Sequence, residues 1–330
     1  MNLGLPYKGS KNTIANDIVK AIPRGGKILD ACCGGGAFLM AAAMSLRWDS
    51  VVGNDLNKAS VALLDAVLIH KGQIEYEHPP VCTRDDFFNS LQRIENDDFD
   101  IQDCVNKYCA SFGNDGKTYL YGSDIEAVKT TAEQMLASDT LENRRKFYRK
   151  FMGFLLVDSS DARLQRLKNL QQLNQLERPQ RLECLQRLER LERLECLQRL
   201  ERLERLERLE RLERLERLDI FDIDYSEFDI VYFDIPYRGT NKYDFEFDYD
   251  RFYKMFADLD KPAFLSEYDA PFEAVAQFDK AQNMAASVGS TGKKAGLEKL
   301  YFNGTLEEYK RLMGSEFRPM KEENTLSLFA

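Results

Sequence analysis

The stretch that decides the fold is Gly25-Gly26-Lys27-Ile28-Leu29-Asp30-Ala31-Cys32-Cys33-Gly34-Gly35-Gly36. A short apolar run ends in an acidic residue and leads directly into three glycines, and the small residues of 37–46 then predict a helix. A second apolar run, Val51-Val52-Gly53, ends next to Asp55. Glycines let the backbone approach a ligand, and a carboxylate about 20 to 25 residues further along accepts hydrogen bonds from a ribose. This order therefore predicts a Rossmann-like α/β unit over residues 25–72 that binds a nucleotide.

The spacing of the glycines argues against a dinucleotide. Leu39 stands where the pattern G-x-G-x-x-G requires its third glycine, so the sequence disfavours a nicotinamide cofactor. Taken by itself, the glycine run is also compatible with a tight turn that binds nothing.

Two later apolar runs predict further strands of the same sheet. Residues 228–233 pass at once into Asp234-Ile235-Pro236-Tyr237, and Ala263-Phe264-Leu265 passes into Ser266-Glu267-Tyr268. Ligands of open α/β sheets bind where the strands end, so an acid, a proline and an aromatic residue at this edge indicate chemistry. As an isolated motif, Asp-Ile-Pro-Tyr is also compatible with an ordinary turn after a strand.

Composition excludes several classes of protein. The chain has 46 Lys and Arg against 55 Asp and Glu, a formal charge of −9, and no run of about 18 apolar residues that could cross a membrane. Residues 1–6 lack the basic and apolar stretches of a secretory signal, so we expect a cytoplasmic protein. Seven cysteines without a C-x-x-C pair lead us to expect no metal site.

A low-complexity tract runs from Leu164 to Leu218. Every third residue is Leu except Pro179, and 200–217 is a plain Leu-Glu-Arg repeat. The tract has 13 Arg and one Lys against 11 Glu, a net charge of +3 within the total of −9, which leaves −12 on the other residues. An acidic chain that binds nucleic acid needs a local basic patch, because phosphate neutralisation dominates such binding.

The conformation of this tract stays open at the level of sequence. Leu, Glu, Gln and Arg all favour helix, and pairs such as Glu201 and Arg205 stabilise it, so we expect a helix that breaks near Pro179. A period of three drifts around a helix and gives no single apolar face, so a short-stranded solenoid is the alternative. We interpret the tract either as a spacer or as an arm for DNA or a partner.

Four short motifs follow one another along the chain: Tyr7-Lys8-Gly9-Ser10-Lys11, 30–36, Asn54-Asp55-Leu56-Asn57 and 234–237. In this order they resemble the Dam-like N6-adenine DNA methyltransferases, over about residues 1–160 and 219–302. The resemblance implies a Rossmann-like methyltransferase fold, S-adenosylmethionine as cofactor and double-stranded DNA as partner. Whether a companion restriction nuclease exists is not visible in this chain.

The resemblance further implies a division of the chain and a set of cofactor-binding residues. Residues 1–80 and 219–330 would form the catalytic domain, 81–163 the DNA-recognition region and 164–218 an insertion. The residues that would bind S-adenosylmethionine at its pocket wall, its methionine end and its ribose are Tyr7, Lys11, Asp30, Gly34, Gly36 and Asp55.

The tetrapeptide Asp234, Ile235, Pro236 and Tyr237 would hold the flipped adenine. The family's usual tetrapeptide is Asp-Pro-Pro-Tyr, so Ile235 is a departure. Its role is compatible with Ile, because the second residue contributes a main-chain carbonyl. Without the fixed φ of proline, however, Pro236 and the packing of the sheet must hold that carbonyl in place.

Contacts with DNA are expected from a glycine-rich, aromatic loop at 111–122 and from a basic helix that follows it. The candidate residues are Lys8, Asn114, Lys117, Tyr119, Arg144 and Arg145. A structural hairpin next to a solvated helix face is the alternative.

Two other functions stay open. The tetrapeptide fits other planar amines, so cytosine N4 or RNA is a second substrate class. The third hypothesis is a DNA-binding remnant in which Ile235 and the tract have abolished turnover.

Overall fold

The computed structural model describes residues 3–71, 81–136, 138, 140–156, 199–200, 202–203, 209–237, 247–278 and 297–320. The chain divides into two units, one made of 1–5, 9–69 and 206–330 and the other of 6–8 and 70–205. Most of the tract 164–218 lies outside the described residues. Within the described ranges, no helix is both long and apolar enough to cross a membrane.

The described part of the first unit is built on a seven-stranded sheet. Its strands are β1 Gly25–Asp30, β2 Trp48–Asn54, β3 Leu212–Glu216, β4 Ile230–Phe233, β5 Ala263–Glu267, β6 Ala274–Phe278 and β7 Glu298–Phe302. The order across the sheet is β3-β2-β1-β4-β5-β7-β6. The first five strands in this order run parallel, while β7 is antiparallel to both of its neighbours. The predicted Rossmann-like α/β fold is thereby confirmed.

Helices of the described residues alternate with the strands in the first unit and make up most of the second. They are α1 Ala15–Ala21, α2 Ala37–Ser45, α3 Lys58–Leu68, α4 Arg84–Glu95, α5 Ile101–Cys109, α6 Glu126–Leu136, α7 Leu141–Leu156, α8 Tyr249–Asp258 and α9 Leu306–Met313.

The central strands are buried on both faces, which explains why their sequences are continuous apolar runs. β4 and β5 are buried along their whole length, and β1 is buried over its last three residues. On one face, the ring of Phe233 packs edge to face against Phe252 and Phe256 of α8, with ring centroids 5.2 and 5.9 Å apart. This packing holds the last residue of β4 in place, directly before Asp234.

The strand β3 comes from the Leu-Glu-Arg repeat, so the helix prediction is wrong for residues 212–216. The strand pairs with β2, which would otherwise leave a row of backbone hydrogen-bonding groups at the edge of a buried strand. The segment forms a strand because the free energy gained by pairing the backbone groups of β2 exceeds the small helix propensity of Leu, Glu and Arg.

A register shift reconciles the period of three with the period of two of a strand. Leu212 pairs with Val51 but Arg214 pairs with Val52, so Glu213 is an extra residue on the β3 side. Leu215 then pairs with Gly53, two residues after Val51, so both leucines lie on the same face of the sheet. Gly53 leaves room for Leu215: a Cβ on Gly53 would lie 2.6 Å from a Leu215 methyl group.

Two helices of the second unit begin with capping boxes: Thr83 with Asp86 caps α4, and Asp100 with Asp103 caps α5. Between α5 and α6 the chain makes a hairpin-like loop, in which Phe112 N–H donates to the Thr118 carbonyl at 2.7 Å. This loop is the glycine-rich segment 111–122.

Candidate active site at the carboxyl edge of the sheet

Three loops meet where the parallel strands end. Asp30 at the end of β1 pairs with Gly53 on one side and with Tyr232 on the other. The backbone continues these ladders, because Ala31 N–H donates to the Tyr232 carbonyl at 2.9 Å. The loops 31–36, 55–57 and 234–237 therefore border one site, at the edge where open α/β sheets bind ligands.

Close packing explains the glycines of the first loop. Gly36 has a φ of +75°, and a Cβ at this position would lie 2.7 Å from a methyl group of Leu64. Its N–H donates to the Cys33 carbonyl at 2.6 Å, and α2 begins at the next residue. Gly34 also has a positive φ, of 49°. Only glycine adopts this loop without strain.

Asp30 is a buried carboxylate that the described residues do not satisfy. Asp30 is 1 % exposed, and neither of its carboxylate oxygens has a hydrogen-bond partner within the described ranges. Burial, followed by repulsion from Asp234 and Asp55, raises the pKa of Asp30 well above its usual value, although backbone N–H groups nearby oppose this. A buried acid without a partner costs stability, so its presence calls for a ligand.

Asp55 connects the second loop to the first. Its carboxylate accepts hydrogen bonds from the N–H groups of Gly34, at 2.7 Å, and Asn57, at 2.8 Å. Burial nevertheless raises the pKa of Asp55. Each oxygen keeps a second lone pair, so it has capacity to accept a further hydrogen bond, for example from a hydroxyl.

These residues fit a ligand that carries a positive charge and hydroxyl groups. Burial, and then the charges of Asp234 and Asp55, raise the pKa of Asp30, and a bound cation would stabilise its charged form. Asp30 lacks a described partner, and Asp55 has spare acceptor capacity.

The tetrapeptide follows β4 and is anchored on both sides. Ile235 is 2 % exposed and packs in the core beside β4, and the hydroxyl of Tyr249 donates to the carbonyl of Pro236 at 2.9 Å. Packing of the Ile235 side chain and the contact from α8 thus help to hold the turn in which the usual proline is missing.

A network of buried side chains surrounds Asp234. The ammonium of Lys11 lies 2.5 Å from Asp234 Oδ1 and 3.2 Å from Glu298 Oε1. Lys11 also donates to the hydroxyl of Tyr237, and that hydroxyl donates to Glu298. Although burial by itself lowers the pKa of Lys11, the two carboxylates outweigh it and raise that pKa. Lys11 therefore stays charged.

Aromatic rings line the same place. The ring centroids of Tyr237 and Tyr268 lie 4.6 Å apart in an edge-to-face arrangement, and the Lys11 ammonium lies 4.6 Å from the Tyr237 ring centroid. Burial, and then the charges of Asp234 and Glu298, raise the pKa of the Tyr237 hydroxyl far above its usual value, so it stays protonated.

Part of the chain matches a known family. The family model for D12 class N6 adenine-specific DNA methyltransferases matches residues 7–154. This match supports a DNA adenine-N6 methyltransferase enzyme. No curated protein matches it. The matched segment contains the motif at 7–11, the glycine loop and the acid after β2, whereas the tetrapeptide lies beyond it.

The structure of this methyltransferase brings five of the six predicted cofactor residues into the first unit. Asp30, Gly34, Gly36 and Asp55 lie in the loops that follow β1 and β2. Lys11 instead contacts Asp234 and Tyr237 of the predicted base-binding tetrapeptide. Tyr7 belongs to the second unit, where its ring centroid lies 5.9 Å from that of Tyr108.

Sequence reasoning about the methyltransferase missed Glu298, Tyr249 and Asn54 as contributors to the site. Asn54 is fully buried, and its amide donates to the carbonyls of Ala31 and Leu218, both at 3.0 Å. It thereby ties the ends of β1 and β2 to the chain that leaves β3. A polar residue directly before Asp55 was a visible signal, and Glu298-Lys299-Leu300 lies where the resembled family carries similar residues, whereas nothing local identified Tyr249.

The predicted DNA-binding residues of the second unit differ in their availability. Lys117, Arg144 and Arg145 are exposed, Asn114 is half-buried, and Lys8 is exposed near Asp115, whose pKa it helps to lower. Tyr119 is 4 % exposed, and its hydroxyl donates to the Cys82 carbonyl at 2.9 Å. Tyr119 therefore packs inside the unit, and in this structure its side chain is too buried to contact DNA.

The exposed cations of α7 form a stripe. Arg145, Lys146, Arg149 and Lys150 fall within about 140° of one another at 100° per residue, and all four are exposed. Arg144 points elsewhere, and its guanidinium donates to the Ser138 carbonyl at 2.7 Å.

Proposed function

We propose that the chain transfers a methyl group from S-adenosylmethionine to the exocyclic N6 amine of an adenine that has been flipped out of duplex DNA. The family match supports adenine-N6 methylation of DNA. The observation that carries the finer proposal is the juxtaposition of two acids, because the unsatisfied Asp30 and the tetrapeptide acid Asp234 follow adjacent parallel strands.

The residues that would hold the cofactor are those of the first two loops. Asp30 would bind its positively charged amino group, Gly34 and Gly36 would let the backbone approach it, and Asp55 would accept its ribose hydroxyls. When bound, S-adenosylmethionine would supply a methyl group on a positively charged sulfur.

The tetrapeptide would hold the target amine. Asp234 would accept one N–H of the amine, the Ile235 carbonyl would accept the other, and the ring of Tyr237 would stack on the base. These contacts offset the cost of flipping, which is a few kcal/mol. They also stabilise the positive charge that develops on the nitrogen, and Asp234 is the base placed to take up the proton that the amine loses.

The duplex would contact a local basic face on an otherwise acidic protein. The stripe Arg145, Lys146, Arg149 and Lys150 would bind phosphates, with Lys117 and Asn114 of the neighbouring loop near the bases. Lys8 and Arg144 stay candidates for weaker contacts.

The test is methyl transfer from labelled S-adenosylmethionine to duplex DNA, followed by mass spectrometry of the nucleosides. We expect N6-methyladenine, and we expect Asp234→Ala to lose about 10²- to 10³-fold or more of the rate, as when a key polar contact in a transition state is removed. Asp222→Ala, an exposed acid of the same unit, is the matched control.

Other products would contradict the proposal in distinguishable ways. N4-methylcytosine, or transfer to RNA alone, would assign a different planar amine. Binding of cofactor and DNA without any transfer would indicate the DNA-binding remnant.

A further inference from the structure

Glu298 opens β7 and is fully buried, yet it faces the same ammonium as the proposed acceptor of the substrate amine. We infer that Glu298 is a positioning residue that takes over the Lys11 ammonium when Asp234 accepts the amine. The inference rests on the proposed function and adds a residue to which the sequence motifs assign no role.

The geometry shows why a second partner is needed. Lys11 donates to Asp234 Oδ1 at 2.5 Å, so in this structure the ammonium covers an oxygen that the amine would use. The Asp234 side chain is 21 % exposed, whereas those of Lys11 and Glu298 are 4 % and 0 % exposed. The substrate can therefore reach Asp234, but the ammonium cannot escape to water.

The charges decide what the ammonium does. Moving a buried cation away from one carboxylate, with no other to receive it, would strand it in a medium of low polarity at a large cost. Glu298 Oε1 lies 3.2 Å from the same nitrogen, so the ammonium already has a second carboxylate partner as it moves away from Asp234. Lys11 would then stay paired while Asp234 Oδ1 becomes available.

Tyr237, on whose ring the base would stack, takes part in this exchange through its hydroxyl. Its hydroxyl accepts from Lys11 and donates to Glu298, so both partners of the exchange hold the same phenol. Motion of the ammonium toward Glu298 keeps both of these hydrogen bonds, and the ring therefore keeps its orientation.

The test is a double-mutant cycle on single-turnover methylation rates, with Glu298→Gln, Lys11→Met and the double variant in the full chain. Gln keeps the shape and can still accept from Tyr237, but it cannot hold an ammonium by charge. We expect Glu298→Gln to lower the rate at saturating DNA and cofactor by about tenfold or more in the Lys11 background. In the Lys11→Met background we expect it to have little further effect, because residues that act through one another are not additive.

Two controls keep the result interpretable. Cofactor affinity by calorimetry should stay within about threefold in Glu298→Gln, since Glu298 does not border the glycine loop. Glu298→Asp, which keeps the charge, should recover part of the rate that Glu298→Gln loses, and it replaces the Gln variant if that variant does not fold.

Three results would overturn the inference. They are a wild-type rate for Glu298→Gln, the same fold loss in both Lys11 backgrounds, or an Asp variant no faster than the Gln variant. A wild-type protein that makes no N6-methyladenine would instead overturn the proposed function. The wild-type product is therefore measured before the rates of the variants are compared.

Discussion

Asp30 illustrates how a single residue can oppose the stability of the protein that carries it. Its pKa is raised by burial and by two neighbouring acids, so folding favours its protonated form. A carboxyl of this kind contributes stability at low pH, below its unfolded pKa, and that contribution is lost as the pH rises toward its folded pKa. The ionised form of the group therefore destabilises the folded state unless a cation is bound.

Replacing this acid should stabilise the protein in the absence of ligand. We expect Asp30→Asn to raise the free energy of unfolding at pH 7 by about 1–3 kcal/mol, because it removes a buried acid whose ionisation opposes folding. Urea unfolding without cofactor measures the change. Asp222→Asn, at an exposed position, should change little, and a destabilised Asp30→Asn would show that the carboxylate is satisfied after all.

The same residue predicts a pH dependence of cofactor binding. A protonated Asp30 cannot bind a positive amino group, so the affinity for S-adenosylmethionine should fall as the pH is lowered through the raised pKa of Asp30. Calorimetric titration at several pH values checks this expectation. Asp30→Asn should bind more weakly and with a flatter pH profile, and an unchanged profile in this variant would assign the pH dependence to Asp55.

At the scale of elements, β3 shows how a low-complexity sequence can serve a defined structure. The extra residue Glu213 turns a spacing of three into a spacing of two, so Leu212 and Leu215 reach the same face. Charged residues of the strand are also paired, since Arg214 contacts Glu216 and Glu227 at 2.6 and 2.8 Å. Such exposed pairs contribute little energy, and the backbone ladder and the leucines define the strand.

The repeat makes this strand tolerant of one kind of deletion. Removing the triplet 209–211 places an identical triplet before Leu212, so the strand and its register are recreated. We expect methylation within a few-fold of wild type and nearly unchanged thermal unfolding. Removing Glu213 alone should also be tolerated, because it removes the bulge and leaves Leu212 and Leu215 two residues apart, on the same face, opposite Val51 and Gly53. A large loss of thermal stability in either deletion would contradict this account of β3.

At the scale of the whole molecule, an acidic chain has to bind an acidic polymer. The net charge of −9 disfavours approach to DNA, so binding must depend on a local concentration of cations such as the stripe on α7. Four exposed cations on one helix face are enough to neutralise several phosphates.

The salt dependence of DNA binding measures this stripe. In Arg145→Ala with Arg149→Ala, we expect the slope of log affinity against log salt to become less negative by about 2, because each phosphate that is no longer neutralised changes the slope by about 0.9. Arg311→Ala is the control, because this exposed residue of α9 lies on the side of the first unit away from the strand ends that form the site. An unchanged slope in the double variant would place the DNA on another surface.

The sequence by itself determined the sheet's central strands, the glycine loop and the acids that end β1, β2 and β4. These features are local: a continuous apolar run predicts a buried strand, and the residue after it lies at the strand's carboxyl end. The motifs also identified Lys11 and Tyr237, although not that they touch each other.

Only the tertiary structure decided how these pieces are joined. Lys11 and Asp234 lie 223 residues apart, and Glu298 contacts both Lys11 and Tyr237 from the antiparallel strand β7. The repeat became a strand because β2 required a partner for its backbone. Hydrogen bonds and ion pairs between distant residues depend on the packing of the whole sheet, so no local pattern of amino acids encodes them.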